Sequence, residues 1–144
     1  DIEIDIETGK SDIIRYTAIQ DVGTAIHPSY VEGQLQGGAV QGIGWALNEE
    51  YYMTDGGEMA NSSFLDYRMP TFLDLPMIET ADFVEACQTN PLGVKGGGES
   101  GTVGSTAAVV NAIVDALAEY GVTDIDMPAT PLKVWQAMHG GKAA

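Results

Sequence analysis

Basic residues are scarce in this sequence. Six Lys and Arg stand against 21 Asp and Glu in 144 residues, which gives a formal net charge of -15. Nucleic acids and anionic membrane surfaces bind to basic faces, so this charge excludes both classes of partner. No apolar run reaches the roughly 18 residues of a membrane span. The opening residues, DIEIDIETGK, also lack the basic start and apolar middle of a signal peptide.

Cysteine is nearly absent. The lone thiol, Cys87, excludes an internal disulfide and fits a reducing compartment. Together with the missing export signal, it predicts a cytoplasmic location, and export on a partner's twin-arginine signal is the periplasmic alternative. The chain opens with a strand pattern and no Met, which predicts an excised fragment or a processed subunit with a partner upstream.

Apolar residues make up 44% of the chain, which is enough for the core of one domain. Residues Ile2 to Ile6 alternate with acids and predict a strand, and a second alternating run, Ile13 to Gln20, completes an antiparallel hairpin. Further strands are predicted at Glu49 to Met53 and at Met77 to Val84. We find no internal repeat and no linker.

A glycine-rich helix is predicted to begin at Ser29, with Glu32 as the second member of a capping box. Its buried stripe at helical spacing is Val31, Leu35, Ala39 and Ile43. A second face carries two glutamines two turns apart and comprises Gln34, Gly38, Gln41 and Trp45. Each glycine in a helix costs about 1 kcal/mol relative to Ala. The small residues therefore serve either close helix packing or contact with a flat ligand, and the sequence leaves both open.

The segment Gly93 to Thr102, GVKGGGESGT, surrounds one carboxylate, Glu99, with glycines. Glycine accepts backbone angles closed to other residues and lets a ligand approach the main chain. A helix predicted over Val103 to Tyr120, capped by Gly121, follows directly, so the free N–H groups at its start favour a phosphate. A plain surface turn is the alternative. The predicted buried stripe of this helix is Val103, Ala107, Val110, Ile113 or Val114, and Leu117.

The loop also matches GxGxxG, but no parallel strand leads straight into it, so a Rossmann dinucleotide site is a weak interpretation. Lys95 is equally consistent with a phosphate contact and with a surface charge. A last short helix is predicted from Thr130 to Met138, and a frayed tail from Gly140 to Ala144. These elements predict an α+β fold of two layers, with hairpin-like sheet regions, mixed or antiparallel, packed on helices.

Four blocks, in order along nearly the whole chain, resemble the C-terminal part of the molybdenum-binding subunit of the xanthine dehydrogenase and aldehyde oxidase family. They are VEGQLQGGAVQGIGWALNEE, NSSFLDYRMPT, NPLGVKGGGESGT and TPLKVWQAM. The segment DVGTAIHP is also similar, although the family usually has Asn at the position of His27. The resemblance identifies residues 1–144 as a C-terminal molybdopterin-binding domain fragment of a molybdenum hydroxylase.

The resemblance implies a molybdopterin cofactor with molybdenum, often in its cytosine dinucleotide form in bacteria, and hydroxylation of an aldehyde or N-heterocycle with oxygen from water. Glu99 falls on the family's catalytic glutamate, a general base, and Gln41 matches its cofactor-contacting glutamine. The molybdenum would be held by the pterin dithiolene, so no metal ligand is expected from this chain. The loop residues implied to lie against the pterin or its pyrophosphate are Gly96, Gly97, Gly98, Ser100, Gly101 and Thr102.

The family's molybdenum subunit is several times longer than this chain. The resemblance therefore implies a partner that carries the remaining part of that subunit, with iron–sulfur clusters and FAD on further domains or subunits. It also implies an oxidoreductase that is inactive as this chain alone. The alternative is a non-catalytic assembly or phosphate- and dinucleotide-binding module that keeps the fold. The presence of both Glu99 and Gln41 favours the enzyme.

Overall fold

The computed structural model describes residues 1–140, in which four short strands and three helices are joined by long loops. In chain order they are β1 (Ile2–Ile4), β2 (Ser11–Ile13), β3 (Tyr16–Asp21), α1 (Pro28–Leu47), β4 (Ile78–Phe83), α2 (Ser100–Ala116) and α3 (Pro131–Met138), with a 3-10 helix, Ala118–Tyr120, after α2. The predicted α+β class, a mixed sheet with packed helices, is confirmed. Apart from Gly140, the predicted frayed tail lies outside the described residues.

The strands form two separate two-stranded sheets of opposite type. β1 pairs antiparallel with β2, and β3 pairs parallel with β4, with Tyr16 opposite Ile78. The predicted strand from Ile13 to Gln20 is therefore wrong as one element, and the second sheet is not hairpin-like. The backbone N–H groups of Ile14 and Arg15 both donate to Asp1 O, which ends the hairpin ladder. The chain then turns to pair with a strand far along the sequence.

The strand predicted over Met77 to Val84 is confirmed as β4. The strand predicted at Glu49 to Met53 is wrong, because this stretch has only an isolated bridge between Met53 and Met59. Asn61 gives the reason. Its side chain accepts from Tyr52 N at 2.9 Å and donates to Glu50 O at 2.7 Å, so it takes the backbone groups that a strand partner would use.

The core lies where α1 and α2 cross, and glycines let the two helices approach closely. A Cβ at Gly42 would overlap Ser105 Oγ and lie 2.5 Å from Thr102 O, and a Cβ at Gly101 would lie 2.7 Å from Leu35 O. The Thr102 hydroxyl donates to Gly38 O at 3.0 Å across the same contact. These small residues therefore serve helix packing. The largest fully buried side chains around the crossing are Leu35, Ile43, Ile113 and Leu117.

Both long helices begin earlier than the apolar pattern predicts. α1 begins at Pro28, which fits the first helical turn, so Ser29 lies inside the helix and the predicted capping box with Glu32 is wrong. Of the predicted stripe of α1, Leu35, Ala39 and Ile43 are buried and Val31 is half-buried. The N-cap of α3 is Thr130, which accepts from Lys133 N, as the sequence predicts.

The buried face of α2 differs from the predicted one. Val103 is 75% exposed and Ala107 is also exposed, whereas Ile113 and Leu117 are buried as predicted. The face that packs on α1 starts with small residues, which an apolar pattern does not reveal. Its members are Gly101, Ser105, Val109, Ile113 and Leu117. Gly121, with φ +74°, caps the 3-10 helix in the left-handed conformation, as predicted.

Asp21, at the end of β3, anchors the glycine-rich loop. Its carboxylate accepts from Gly23 N at 2.8 Å and forms an ion pair with Lys95. Backbone bonds add to this anchor, because Lys95 N donates to Val22 O and Thr24 N donates to Gly93 O, both at 2.9 Å. The hydrogen bond from Lys95, then the one from Gly23, lowers the pKa of Asp21. The start of the loop is therefore fixed against β3.

We predict that the close helix crossing depends on Gly42. Gly42→Ala should lower the free energy of unfolding by about 1–3 kcal/mol, because its Cβ has no room. Gly37→Ala is a matched control on the same helix, where a Cβ would meet nothing within 4 Å. It should instead stabilise the protein by about 1 kcal/mol through helix propensity. Urea unfolding compares the two variants, and equal shifts would contradict this packing.

We predict that the Asp21 anchor makes stability depend on pH. Because the pKa of Asp21 is lower in the folded than in the unfolded state, its contribution is present above the unfolded pKa and is lost as pH falls through the folded pKa. Asp21→Asn should therefore be less stable at neutral pH and should lose less stability below about pH 4.

Thermal unfolding across that range measures the effect. Asp115→Asn, which changes an exposed carboxylate on α2, is the control and should follow the parent. An Asp21→Asn profile that overlays the parent at every pH would show that the anchor contributes nothing.

Candidate functional site

A cleft of about 280 Å³ lies between the end of β3, the start of α1 and the glycine-rich loop. We call it the glycine-loop cleft. His27 and Tyr30 stack with their ring centroids 4.0 Å apart and form an aromatic wall. Gln34 faces them from the next turn of α1. The other residues that line the cleft include Val22, Thr24, Ile26, Lys95, Gly97 and Gly98.

The glycines of the loop fall into two groups. Gly93 and Gly97 are explained by the fold: Gly93 has φ +68°, and a Cβ at Gly97 would lie 2.8 Å from Val22 Cγ1. Gly96 and Gly98 do not have positive φ. A Cβ at Gly96 would meet nothing within 4 Å, and one at Gly98 would only reach ordinary contact with Gln34 Nε2, at 3.7 Å.

Neither backbone conformation nor internal packing therefore requires glycine at Gly96 or Gly98. Because neither residue has a side chain, the backbone at both positions is uncovered. A large flat group can lie against such backbone without a clash. These two positions fit the pterin cofactor that the sequence resemblance implies.

Glu99 is the N-cap residue of α2, directly after these glycines. Its side chain is exposed and makes no capping hydrogen bond to the helix. Within residues 1–140 its carboxylate has no ion-pair partner at all, since the three ion pairs there are Lys10–Asp12, Arg15–Glu79 and Lys95–Asp21. The helix fixes the backbone of Glu99, and its carboxylate, without a partner in the described part of the chain, is accessible to a bound molecule.

The structure does not bring all the predicted site residues into one cleft. Gly97 and Gly98 line the glycine-loop cleft. Ser100 and Gly101 lie on the side of α2 that faces β3, along a separate cleft of about 200 Å³. Thr102 lies against α1, where its hydroxyl is 3.5 Å from Gln41 Oε1.

Gln41 lies in a third cleft, of about 660 Å³, beside the last turns of α1. We call it the aromatic cleft, because Trp45, Tyr51, Phe64 and Tyr67 line it. Tyr67 donates a 2.8 Å hydrogen bond to Glu49, which raises the pKa of Tyr67 to about 12. The phenol therefore remains a neutral hydrogen-bond donor throughout the physiological range.

Gln34 is a cleft residue that the resemblance did not identify as a candidate cofactor contact. It lines the glycine-loop cleft beside Gly98, whereas Gln41 does not. The helical pattern had already placed both glutamines on one face, two turns apart. Gln41 therefore lies two turns further along α1 than Gln34 and lines a different cleft. The helical pattern alone does not show which of the two residues lies beside the loop.

Lys95 has a structural partner. Its ammonium pairs with Asp21, and this hydrogen bond raises the pKa of Lys95. The side chain is held at the edge of the glycine-loop cleft, so it retains its charge while part of its field is neutralised by Asp21. The sequence left open a phosphate contact and a surface charge, and the contact observed is a third one, the ion pair with Asp21.

Two further findings concern metals and membranes. No group of three or more His, Cys, Asp or Glu side chains within residues 1–140 is arranged to hold a metal ion. In the same part of the chain, no helix is long and apolar enough to cross a membrane.

Comparison with known proteins identifies the family. Residues 1–76 match the model of the molybdopterin cofactor-binding domain. The chain is 40% identical over 139 residues to the large subunit of nicotine 6-hydroxylase from Paenarthrobacter nicotinovorans, covering 96% of this chain and 17% of that subunit. It is 38% identical over 141 residues to the xanthine dehydrogenase molybdenum-binding subunit of Escherichia coli O157:H7, covering 96% and 18%.

Solved structures agree with the sequence comparison. The reconstituted CO dehydrogenase from Oligotropha carboxidovorans matches with a TM-score of 0.91 and 34% identity, over 96% of this chain and 17% of that one. The chain thus spans less than a fifth of the length of these relatives. The family match over more than half of the chain, with these relatives, shows that it belongs to the molybdopterin cofactor-binding domain family of the molybdenum hydroxylases.

Proposed function

We propose that this chain supplies the cofactor-facing glycine loop and the catalytic base of a molybdenum hydroxylase. The observation that carries the proposal is the exposed carboxylate of Glu99, the N-cap residue of α2, which follows directly after the loop glycines. When bound, the cofactor supplies the molybdenum that takes up the electrons of the oxidation, with water as the source of oxygen. Residues 1–144 act as one C-terminal fragment of the molybdenum subunit.

The role we assign to Glu99 is that of general base. A general base must lie within about 2.6–3.2 Å of the proton it takes, or reach it through one water. The α2 helix fixes the backbone of Glu99, and a Cβ at Gly96, three residues before it, would meet nothing within 4 Å.

The other proposed contacts belong to the loop and to α1. Backbone at Gly96, Gly97 and Gly98 would lie against the pterin, and the first turn of α2, from Ser100 to Thr102, would face its pyrophosphate. Gln34 would bind the cofactor from the glycine-loop cleft. Gln41 remains a proposed contact through its link to Thr102 in the first turn of α2.

For the substrate, we propose an aldehyde or an N-heterocycle. Nicotine and xanthine, named in the relatives nicotine 6-hydroxylase and xanthine dehydrogenase, are both N-heterocycles. CO dehydrogenase, named in a structural relative, acts on a substrate of neither class.

The proposal includes partners and a location. Because the chain spans under a fifth of its relatives, the remaining part of the molybdenum subunit would complete the site. Iron–sulfur and FAD domains or subunits would carry the electrons onward, and the cofactor would be molybdopterin, in bacteria often its cytosine dinucleotide form. A cytoplasmic location, with export on a partner's signal as the alternative, belongs to the same proposal.

We predict that Glu99→Gln in the assembled enzyme lowers turnover by about 10²–10⁴-fold, the range of a lost general base. Molybdenum content should stay at the parent's value, because the amide keeps the size and position of the side chain. Glu119→Gln, on the 3-10 helix, is the matched control and should keep full turnover. Unchanged turnover in Glu99→Gln would remove this residue from the mechanism and favour a non-catalytic binding module.

We also predict that the two glutamines differ in cofactor retention. Gln34→Ala should weaken retention more than Gln41→Ala, because Gln34 lines the glycine-loop cleft and Gln41 lines the aromatic cleft. The measurement is molybdenum per protein after extensive dialysis of the assembled enzyme. Full occupancy in Gln34→Ala would contradict the placement of the pterin in the glycine-loop cleft, and full occupancy in Gln41→Ala would remove Gln41 from the cofactor site.

A further inference from the structure

The connection between α1 and β4 is unusual for its length. Residues 48–77 form no helix or strand beyond the isolated bridge between Met53 and Met59. Connections longer than about 12–15 residues without secondary structure are uncommon in compact domains, and the ordered ones are usually functional. This connection is held by its own hydrogen bonds, which include those of Asn61 to the backbone of Glu50 and Tyr52.

Two turns in this connection share one four-residue pattern, hydroxyl-Phe-Leu-Asp. The first is Ser63 to Asp66, where the Ser63 hydroxyl donates to the Asp66 carboxylate at 2.9 Å. The second is Thr71 to Asp74, where the Thr71 hydroxyl donates to the Asp74 carboxylate at 2.8 Å. In each turn the Asp N–H also donates to the carbonyl of the first residue, at 3.0 and 3.1 Å. A four-residue pattern that occurs twice is too short to be recognised as an internal repeat in the sequence.

The same hydrogen bonds close both turns, so the shape of each turn does not depend on burial of its two apolar residues. Those residues are almost fully exposed: Phe64 and Leu65 are 87% and 93% exposed, and Phe72 and Leu73 are both 91% exposed. We call these two segments the Phe-Leu turns. Soluble monomers rarely present large apolar side chains so fully in one region, and such regions mark interaction sites.

Each Phe-Leu turn also borders a cleft that residues of α1 help to line. Phe64 lines the aromatic cleft, of about 660 Å³. Phe72 lines a groove of about 410 Å³ with Val40 of α1 and Leu75. Each turn therefore combines exposed apolar side chains with a neighbouring cleft, a shape that a folded partner surface can fit.

We propose that the Phe-Leu turns dock onto an apolar surface in the remaining part of the same molybdenum subunit. This inference rests on the proposed function, because that function requires the rest of the subunit. The chain aligns over 96% of its own length with single polypeptides of which it spans 17% and 18%. Permanent interfaces of this kind are apolar, like a protein core divided in two.

Charge disfavours a second copy of the chain as the occupant. The formal net charge is -15, and each turn carries a carboxylate, Asp66 or Asp74, at its base. Two such surfaces brought face to face would repel each other. An apolar surface with a neutral or basic rim, on the same polypeptide, has no such penalty.

Hydroxyl-radical footprinting tests the proposal on two samples, the 144-residue chain and the native polypeptide purified from its host without its partner subunits. Oxidation of Phe64 and Phe72 should be rapid in the chain and severalfold slower in the native polypeptide, with the urea-unfolded polypeptide as the unprotected reference. Equal oxidation in both samples would overturn the proposal.

The other possible occupants give different results, each of which would also overturn it. Protection that appears only after partner subunits are added would assign the surface to another subunit. Protection that depends on the concentration of the native polypeptide would assign it to a second copy. If the native polypeptide is no longer than this chain, the subunit has no remaining part onto which the turns could dock.

Variants provide a second measurement. Phe64→Ser with Phe72→Ser should leave the unfolding temperature of the chain unchanged, since both side chains are exposed there, and should lower that of the native polypeptide. Phe64→Leu with Phe72→Leu keeps both positions apolar and should restore most of the loss. An unchanged unfolding temperature in the native serine variant, or a chain destabilised by the same change, would contradict docking through these turns.

Molybdenum content of the native polypeptide, measured in the same preparation, separates this inference from the proposed function. Bound molybdenum with unprotected Phe-Leu turns would reject the docking and leave the proposed function intact. Protected turns in a polypeptide without molybdenum would reject the function and leave the docking intact.

Discussion

The close crossing of α1 and α2 is the constraint on which the rest of this structure depends. Gly42 and Gly101 bring the two backbones together, and the hydroxyl of Thr102 donates across the contact. This crossing fixes where α2 begins, and so it fixes Glu99 at the N-cap. The glycine loop has to reach this point from β3, where Asp21 holds its other end. Packing between helices thereby positions a carboxylate that itself contacts nothing in the core.

Glycine has two structural roles in this chain. At Gly42 and Gly101 it permits helix contact, and at Gly93 it adopts a left-handed backbone conformation. At Gly96 and Gly98 neither reason applies, because a Cβ would stand in open space or in ordinary contact. These two glycines lie in the loop directly before Glu99, and the proposed function places them against the cofactor.

Local pattern predicts some of these elements well. The α3 helix follows from its start at Thr130 and Pro131, and β4 from a short stretch whose apolar residues include Ile78 and Phe83, since both signals are carried by a few neighbouring residues. The strand from Ile13 to Gln20 fails because its second half pairs with β4, far away in sequence, and alternation alone does not identify a partner. The buried face of α2 fails at Val103 because Gly101 and Ser105, which are small and not apolar, make the contact.

The same division applies to the candidate site. Glu99 stands out in the sequence as a single acid among glycines, so both spacing and resemblance single it out. Only the structure shows which glutamine lines the glycine-loop cleft. Gln34 and Gln41 lie two turns apart on α1 and line different clefts. The Phe-Leu turns likewise become evident only through their hydrogen bonds and exposure, since four residues repeated once is a weak sequence signal.

The most direct test of the central claim is the position of molybdenum in crystals of the native protein, located by anomalous scattering. Our account predicts that the metal lies beside the glycine-loop cleft, with the Glu99 carboxylate in hydrogen-bond reach of a group bound to the cofactor, directly or through one water. Molybdenum located away from Glu99 and the loop, or a native protein without molybdenum, would contradict it.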